Sequence, residues 1–356
     1  MRKPCGLIVL DRSALELIYG PTELAEIAER VELLAPPMTR QRLAAHPDLL
    51  AKAEVLFSGW GAPHLSQSFL DATPKLKVVF YGAGAIGYFA TDAMWDRGVR
   101  VTSAYQANAV PVAEYALAMI LLSLKHTWRL VRETLETCSF PERNAAPGAY
   151  GSVVGLVSMG ATARQLRRML QPFDLKVLVY DPFLTEAEAS LLNVERVSLE
   201  ALFVQSDVVS LHTPDLAETE GMIGGQLLRL MKPNATFMNT ARGAVVRQNE
   251  LIEVLRERAD LQAILDVTEP EPPAPDSPLY TMKNVLLTPH IAGSVGQECR
   301  RMGRLMIEEL DRYLRGEPLK YQITREAAVR SSHRPVTAHV KPSHRPAEAA
   351  PVSPVG

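Results

Sequence analysis

The chain has 356 residues, 47% of them hydrophobic and 6% aromatic. That is long enough for two cores, because single cores stop growing at roughly 250 to 300 residues. Its 38 basic and 40 acidic side chains leave a net charge of −2, so there is no electrostatic case for nucleic acid or an anionic membrane as partner.

Residues 1–13 carry Arg2 and Lys3, but the apolar run 6–10 is too short for a signal-peptide core. Strand-like runs at 6–10, 55–57, 76–81 and 99–102 alternate with helical patterns at 22–32, 65–72 and 91–97. Such alternation implies a parallel sheet covered on both faces. Inside this first unit Gly82, Ala83, Gly84, Ala85, Ile86 and Gly87 match G-x-G-x-x-G letter for letter after the strand KVVFY. The next strand ends at Thr102 and Ser103 with no carboxylate to hold a ribose, so this turn is not read as the cofactor site. Its N–H groups suit a plain tight turn or a nest for a substrate carboxylate equally well.

Residues 108–125 are apolar nearly all round, which marks a buried helix crossing to a second unit. The apolar run 110–124 carries Glu114 and is shorter than a membrane span. Residues 138–151, with two prolines and two glycines, read as a loop. Cys5, Cys138 and Cys299 are odd in number and far apart, as reduced thiols of a cytoplasmic protein would be.

Residues 153–181 organise the second unit. The run 153–157 is a short β-branched strand, followed at once by the small residues Ser158, Gly160, Ala161, Thr162 and Ala163. Leu166, Met169, Leu170 and Phe173 then form a helical stripe, and a second strand, 176–180, ends on Asp181. Strand, small-residue turn, helix, strand and acid make the first half of a dinucleotide-binding fold, with the pyrophosphate at the helix N-terminus. Asp181, 181 − 160 = 21 positions after Gly160, is placed to accept from ribose hydroxyls or to cap the next turn. Pro182, Phe183 and Leu184 include no cation for a 2′-phosphate, which favours NAD over NADP. Ser158 and Ala163 stand where the fingerprint wants glycine.

Beyond it, strands at 207–211, 235–239, 263–265 and 285–288 alternate with helical runs at 227–231 and 250–258. Ionisable residues recur just after the strands, where an open α/β sheet binds ligands: Asp181, His212, Arg242, Asp266 and His290. Residues 295–314 form an amphipathic helix with Met302, Leu305, Met306, Leu310 and Leu314 on one face, returning to the first unit. Residues 325–356, with five prolines and few large apolar side chains, read as a disordered tail.

The runs MNTARG (238–243), DVTEPEP (266–272) and LTPHIAG (287–293) resemble the D-isomer-specific 2-hydroxyacid dehydrogenases, the family of phosphoglycerate, glycerate and formate dehydrogenases. The likeness spans about residues 50 to 320. It implies an α/β fold with a Rossmann-type doubly wound parallel sheet domain at 105–294. It also implies a discontinuous flavodoxin-like substrate domain from 1–104 and 295–324. The family's active-site Arg, Glu and His map onto Arg242, Glu271 and His290, with Glu269 a nearby rival to Glu271. Arg242 would bind the carboxylate and polarise the carbonyl of a 2-keto acid, and His290 would act as general acid and base.

By the same likeness NAD would lie against Ser158, Gly160, Ala161, Thr162, Asp181, Thr213, Pro214, Thr240, Ala241 and Asp266, the last on the carboxamide. Ala83 and Gly84 would take the substrate carboxylate, and His212 would have no catalytic role. Arg247 stands where the family often has Asp. A homodimer is implied and a metal is not. A non-catalytic NADH-sensing corepressor-like protein is the alternative, because corepressors share this fold and often the triad. Pocket residues would come from the first unit, around Trp60, Gly61 and residues 81–85.

Overall fold

The computed structural model describes residues 2–143 and 145–329. They build two sheets in which every pairing of strands is parallel. The smaller contains β1 (Cys5–Val9), β2 (Glu32–Leu33), β3 (Val55–Ser58), β4 (Val78–Tyr81) and β5 (Arg100–Ser103), in the order β2-β1-β3-β4-β5. The larger contains β6 (Val153–Val157), β7 (Lys176–Tyr180), β8 (Glu195–Arg196), β9 (Val208–Leu211), β10 (Thr236–Asn239), β11 (Gln262–Leu265) and β12 (Val285–Leu287). Its order is β12-β11-β10-β9-β6-β7-β8, the doubly wound Rossmann arrangement, while the smaller sheet has the flavodoxin-like order. Each order reverses once, between β6 and β9 and between β1 and β3. A crevice opens at each reversal, at the C-terminal ends of the strands.

Strands such as VVFY and VVSL are buried along their whole length, as helices on both faces of a parallel sheet require. Glycine inside β6 has a specific cause. A Cβ on Gly155 would collide with Ser206 and Leu202 of the segment packed on that strand, so the close approach depends on the missing side chain.

Two helices join the lobes. Tyr105–Ser123 leaves the smaller sheet and buries Ala113, Ala116 and Ile120 in one cluster with Ala163 and Leu166 of the helix Ala161–Met169. Small side chains on both helices allow the close packing. Cys299–Leu314 returns and seals the smaller sheet, its Met302, Met306, Ile307 and Leu310 in one cluster with Ile8, Phe57 and Phe80. Arg30 and Asp311, 2.7 Å apart, fasten it at the rim.

Several elements differ from the sequence reading. The return helix starts at Cys299 rather than 295, because Gly296 takes a left-handed turn (φ 52°) that a continuing helix does not allow. The helices Thr127–Thr137, Glu186–Leu192 and Leu199–Gln205 went unread. The first buries no residue, and the others are only seven residues long. The disordered tail needs correction at its start, since Arg325–Val329 is helical. Arg325 pairs with Asp96 at 2.6 Å and stacks over the Trp95 ring, while Ala328 packs on the small-sheet core. The rest of that tail, 330–356, lies outside the described residues.

Among the described residues no single helix is long and apolar enough to cross a membrane. One bent pair, Tyr105–Ser123 with Thr127–Thr137, passes by length and composition, but the first of these is the buried crossing helix.

Candidate active site

The larger sheet's crevice is lined first by Ser158, whose φ of 74° lies in the left-handed region that the fingerprint reserves for glycine. A serine there costs about 1 to 2 kcal/mol. Its hydroxyl bonds Thr213 Oγ1 at 3.1 Å across the crevice, and Thr213 also donates to the Val157 carbonyl. Ser158 and Thr213 therefore span the point where the strand order reverses. Gly160 caps the helix Ala161–Met169 without a side-chain cap, and a Cβ there would meet nothing within 4 Å. The first N–H groups of that helix, at Ala161 and Thr162, thus front open space with a favourable dipole. Ala163 is fully buried at the helix–sheet contact, where alanine is small enough.

Asp181 caps the next turn and also braces the Ser158 turn. Oδ1 accepts from the N–H groups of Phe183 (2.7 Å) and Leu184 (3.2 Å), capping the next turn, and Oδ2 accepts from Met159 N–H (2.7 Å). Its carboxylate is therefore fixed at the rim of the Ser158 turn. Arg164 donates to the Met159 carbonyl and pairs with Glu188 at 3.0 Å, so it is held beside the same turn.

His212 follows β9, its Nε2 2.9 Å from Ser210 Oγ. Burial pushes its pKa from the ordinary 6.5 down to about 4, so the ring is neutral across the physiological range. Below pH 6.5 the unfolded chain takes up a proton that the folded chain refuses until pH falls near 4, so stability drops through that window. The residue as a whole is only half-buried, which limits the loss to about 1 to 2 kcal/mol at pH 5. Thermal melts should show the wild-type midpoint falling a few degrees further than that of His212→Gln between pH 7.5 and 5. Equal falls would remove His212 as the cause.

After β10, Asn239 folds the loop that presents Arg242. Its Oδ1 accepts from Ala241 N–H (3.0 Å) and its Nδ2 donates to the Arg242 carbonyl (2.9 Å). Thr240 Oγ1 in this loop is buried with no partner among the described residues. The Arg242 guanidinium donates to the Ala241 carbonyl at 2.6 Å. Burial pushes its pKa down, and the Asp215 and Glu271 carboxylates oppose that shift. A guanidinium keeps its charge through such a shift. Arg247 instead lies on the surface, 3.3 Å from Glu250.

Asp266, after β11, is almost wholly buried. Oδ1 accepts from Thr288 Oγ1 (2.6 Å) and Ile291 N–H (2.8 Å), and Oδ2 from Ala292 N–H (2.9 Å). The Asp266 carbonyl also accepts from His290 N–H at 3.0 Å. This one residue therefore moulds the loop that holds His290 in its left-handed conformation, φ 54°. Tyr115 of the crossing helix reaches the same loop through Thr288, at 3.0 Å. Glu271 Oε1 lies 2.6 Å from His290 Nδ1, whereas Glu269 is exposed and lacks that contact, which decides between the two acids. A carboxylate only accepts, so Nδ1 carries the proton.

The smaller sheet faces this loop through Asn108, near the start of the crossing helix. Asn108 Oδ1 accepts from Ser294 N–H at 2.9 Å, and Nδ2 lies 4.0 Å from where a Cβ on Gly84 would stand. Ser103 Oγ donates to the carbonyls of Ala83 and Gly84, drawing them back into the lobe. No described residue accepts from the Ala83 or Gly84 N–H, which keeps the nest reading open. Asn108, Tyr115, Asn239 and Asp215 were not singled out in the sequence, since each lies outside the three motif blocks or reads there as a spacer. A cavity of about 260 Å³ lined by Trp128, Arg129 and Asn234 lies at the opposite, N-terminal edge of the larger sheet and belongs to no part of this arrangement.

Residues 117–292 match the family described as D-isomer specific 2-hydroxyacid dehydrogenase, NAD binding domain. Over 305 residues the chain is 33% identical to a glyoxylate reductase of Korarchaeum cryptofilum, covering 83% of this chain and 90% of that one. Over 251 residues it is 29% identical to a D-3-phosphoglycerate dehydrogenase of Archaeoglobus fulgidus, covering 70% of this chain but 48% of the relative. The chain spans about half the length of the phosphoglycerate dehydrogenases that it matches. Among solved structures, apo D-mandelate dehydrogenase of Rhodotorula graminis superposes with a TM-score of 0.76 at 26% identity, over 91% of this chain and 98% of that one.

Proposed function

The chain belongs to the D-isomer-specific 2-hydroxyacid dehydrogenases, and from that premise we propose that it is an NAD-dependent oxidoreductase interconverting a 2-keto acid and its D-2-hydroxy acid. The observation that carries this reading is the 2.6 Å contact of His290 Nδ1 with Glu271, on the same sheet edge as the half-buried Arg242. The residues present fit a nicotinamide dinucleotide, because among the described residues nothing lies within 4 Å of a Cβ on Gly160 and the buried Thr240 Oγ1 has no partner. Ser158, Gly160, Ala161 and Thr162 would hold the pyrophosphate, Asp181 the adenosine ribose, and Thr213, Pro214, Thr240 and Ala241 the remainder. Asp266, whose Oδ2 accepts one bond, keeps a lone pair for the carboxamide. When bound, this cofactor supplies or receives the hydride.

The protein's part is to grip and to move a proton. Arg242 binds the carboxylate and polarises the keto oxygen through its planar fork, with Ala83 and Gly84 N–H groups as further donors. His290 Nε2 protonates the oxygen that develops negative charge at C2, and takes the proton back in the oxidative direction. Glu271 holds the ring in the tautomer that allows this and balances its charge. Asp181, followed by Pro182, Phe183 and Leu184, leaves a 2′-phosphate beside a carboxylate with no cation among its next three residues, which supports NAD over NADP. Exposed Val131, Leu135 and Phe140 offer an apolar surface for a second copy, so a homodimer completes the proposal. Free thiols at Cys5, Cys138 and Cys299 suit a reducing, cytoplasmic setting.

Purified protein should oxidise NADH when given at least one of glyoxylate, hydroxypyruvate, pyruvate or a bulkier keto acid. NADPH should serve about tenfold worse or less, the scale of a lost charge-assisted contact. NADH binding without turnover of any acid would replace the enzyme with a corepressor-like sensor.

A further inference from the structure

Resting on the dehydrogenase reading, we infer that the preferred substrate carries an uncharged apolar or aromatic group beyond its keto carbon, packed against Trp60 and Tyr105, and that phosphorylated acids are disfavoured. The register Ser58↔Tyr81↔Ser103 sets the loops after β3, β4 and β5 side by side at one edge. Asn108 joins that edge to the His290 loop, because it lies against both Gly84 and Gly293. These loops therefore receive whatever the substrate extends from its reacting carbon.

Their composition decides what that can be. Residues 59–65, 82–90 and 104–109 contain no Lys or Arg. They carry Trp60 and Tyr105, 39% and 38% exposed, and Ile291, beside His290, is 42% exposed. Trp60 also stands at the reversal between β1 and β3, its carbonyl accepting from Asp11 N–H at 2.8 Å. A large aromatic half open to water at a sheet's ligand-binding point is apolar area available to a ligand.

A phosphate would find the opposite environment. Asp11 lies directly against Gly61 and puts a negative charge at the crevice, although Arg40 also acts on Tyr88, whose hydroxyl bonds the Gly59 carbonyl there. Arg12, the neighbouring cation, has its side chain 90% exposed and leans 3.9 Å from Glu16. Arg242 is committed to the carboxylate common to all these acids. Phosphate recognition ordinarily needs a cation fork or a free helix terminus; these loops supply no Lys or Arg for the fork, and at the start of the crossing helix the Tyr105 N–H is already taken by Ser103 Oγ at 3.3 Å. The name carried by the phosphoglycerate dehydrogenase relatives therefore does not transfer to this chain.

The experiment is a comparison of kcat/KM with NADH for phenylpyruvate, 4-methyl-2-oxopentanoate, glyoxylate and 3-phosphooxypyruvate. Wild type should prefer an apolar acid over the phosphorylated one by about 100-fold, as expected when a charge lacks its partner. Trp60→Ala should lower kcat/KM for phenylpyruvate about 10- to 100-fold and leave glyoxylate, which has nothing beyond its keto carbon, within about threefold. Trp60→Arg should raise turnover of the phosphorylated acid. Equal or better use of that acid by wild type overturns the inference, as does an equal loss on glyoxylate in Trp60→Ala. If Trp60→Ala fails to fold, the wild-type ratio and the Trp60→Arg change decide alone. No turnover of any of the four acids sinks the dehydrogenase reading itself, and this inference with it.

Discussion

His290→Asn should lower kcat by about 100- to 10,000-fold while changing KM little, the range for losing a positioned general acid. Asparagine is the informative replacement because it tolerates the left-handed backbone at this position (φ 54°) better than most side chains. The loop braced by Asp266 should therefore persist, and thermal melting should confirm that it does. What disappears is the proton at Nε2. Glu271→Gln makes the complementary test, since the amide oxygen can still accept from Nδ1–H and only the charge is lost. Its kcat should fall about 10- to 100-fold, less than for His290→Asn, because a charge-assisted hydrogen bond becomes a neutral one. Steady-state kinetics on whichever keto acid the wild type reduces will decide. A His290→Asn enzyme within tenfold of wild-type kcat would remove the imidazole from the chemistry.

Arg242→Lys is expected to cost about 100- to 1,000-fold in kcat/KM even though the formal charge is kept. The guanidinium is pinned by its 2.6 Å bond to the Ala241 carbonyl and set against the Asp215 and Glu271 carboxylates, so its remaining donors form a fixed planar pair. An ammonium is a point charge on a flexible stem and cannot present two parallel bonds to a carboxylate. Arg242→Ala should be worse again, because it also leaves Asp215 and Glu271 without their shared countercharge. The loss should appear in KM as well as kcat, since the same fork serves the bound acid and the developing alkoxide. A Lys variant with unchanged kcat/KM would mean that Arg242 acts only as a distant charge.

Much of this was legible in the sequence, for a physical reason. Parallel strands buried on both faces must be short continuous apolar runs, so VVGLV and KVLVY announce themselves, and polar residues just past them fall on the ligand-binding edge. Asp181, Arg242, Asp266 and His290 were found that way. Less legible was anything set by backbone conformation or by contacts distant in sequence. Ser158 reads as a degraded glycine motif, yet the chain still takes the left-handed turn there and bonds the hydroxyl to Thr213. Asn108 looks like one polar residue opening an apolar helix, and only the fold brings it between Gly84 and Ser294. The helix Thr127–Thr137 was missed although Trp128, Val131 and Leu135 recur at helical spacing, and it buries none of its residues.

Most supports of Arg242 and His290 come from one side, with Asn108 and Tyr115 of the crossing helix joining them through Ser294 and Thr288. Asn239, Asp266 and Glu271 arise from the larger sheet's edge, while Trp60, Gly84 and Tyr105 come from the other lobe. On the proposed reading, what the substrate extends beyond its keto carbon and the proton transfer at that carbon are thus held mostly by separate scaffolding. Exchanging the short loops after β3 and β5 should retarget it without rebuilding its engine, which makes it a practical starting point for redesign.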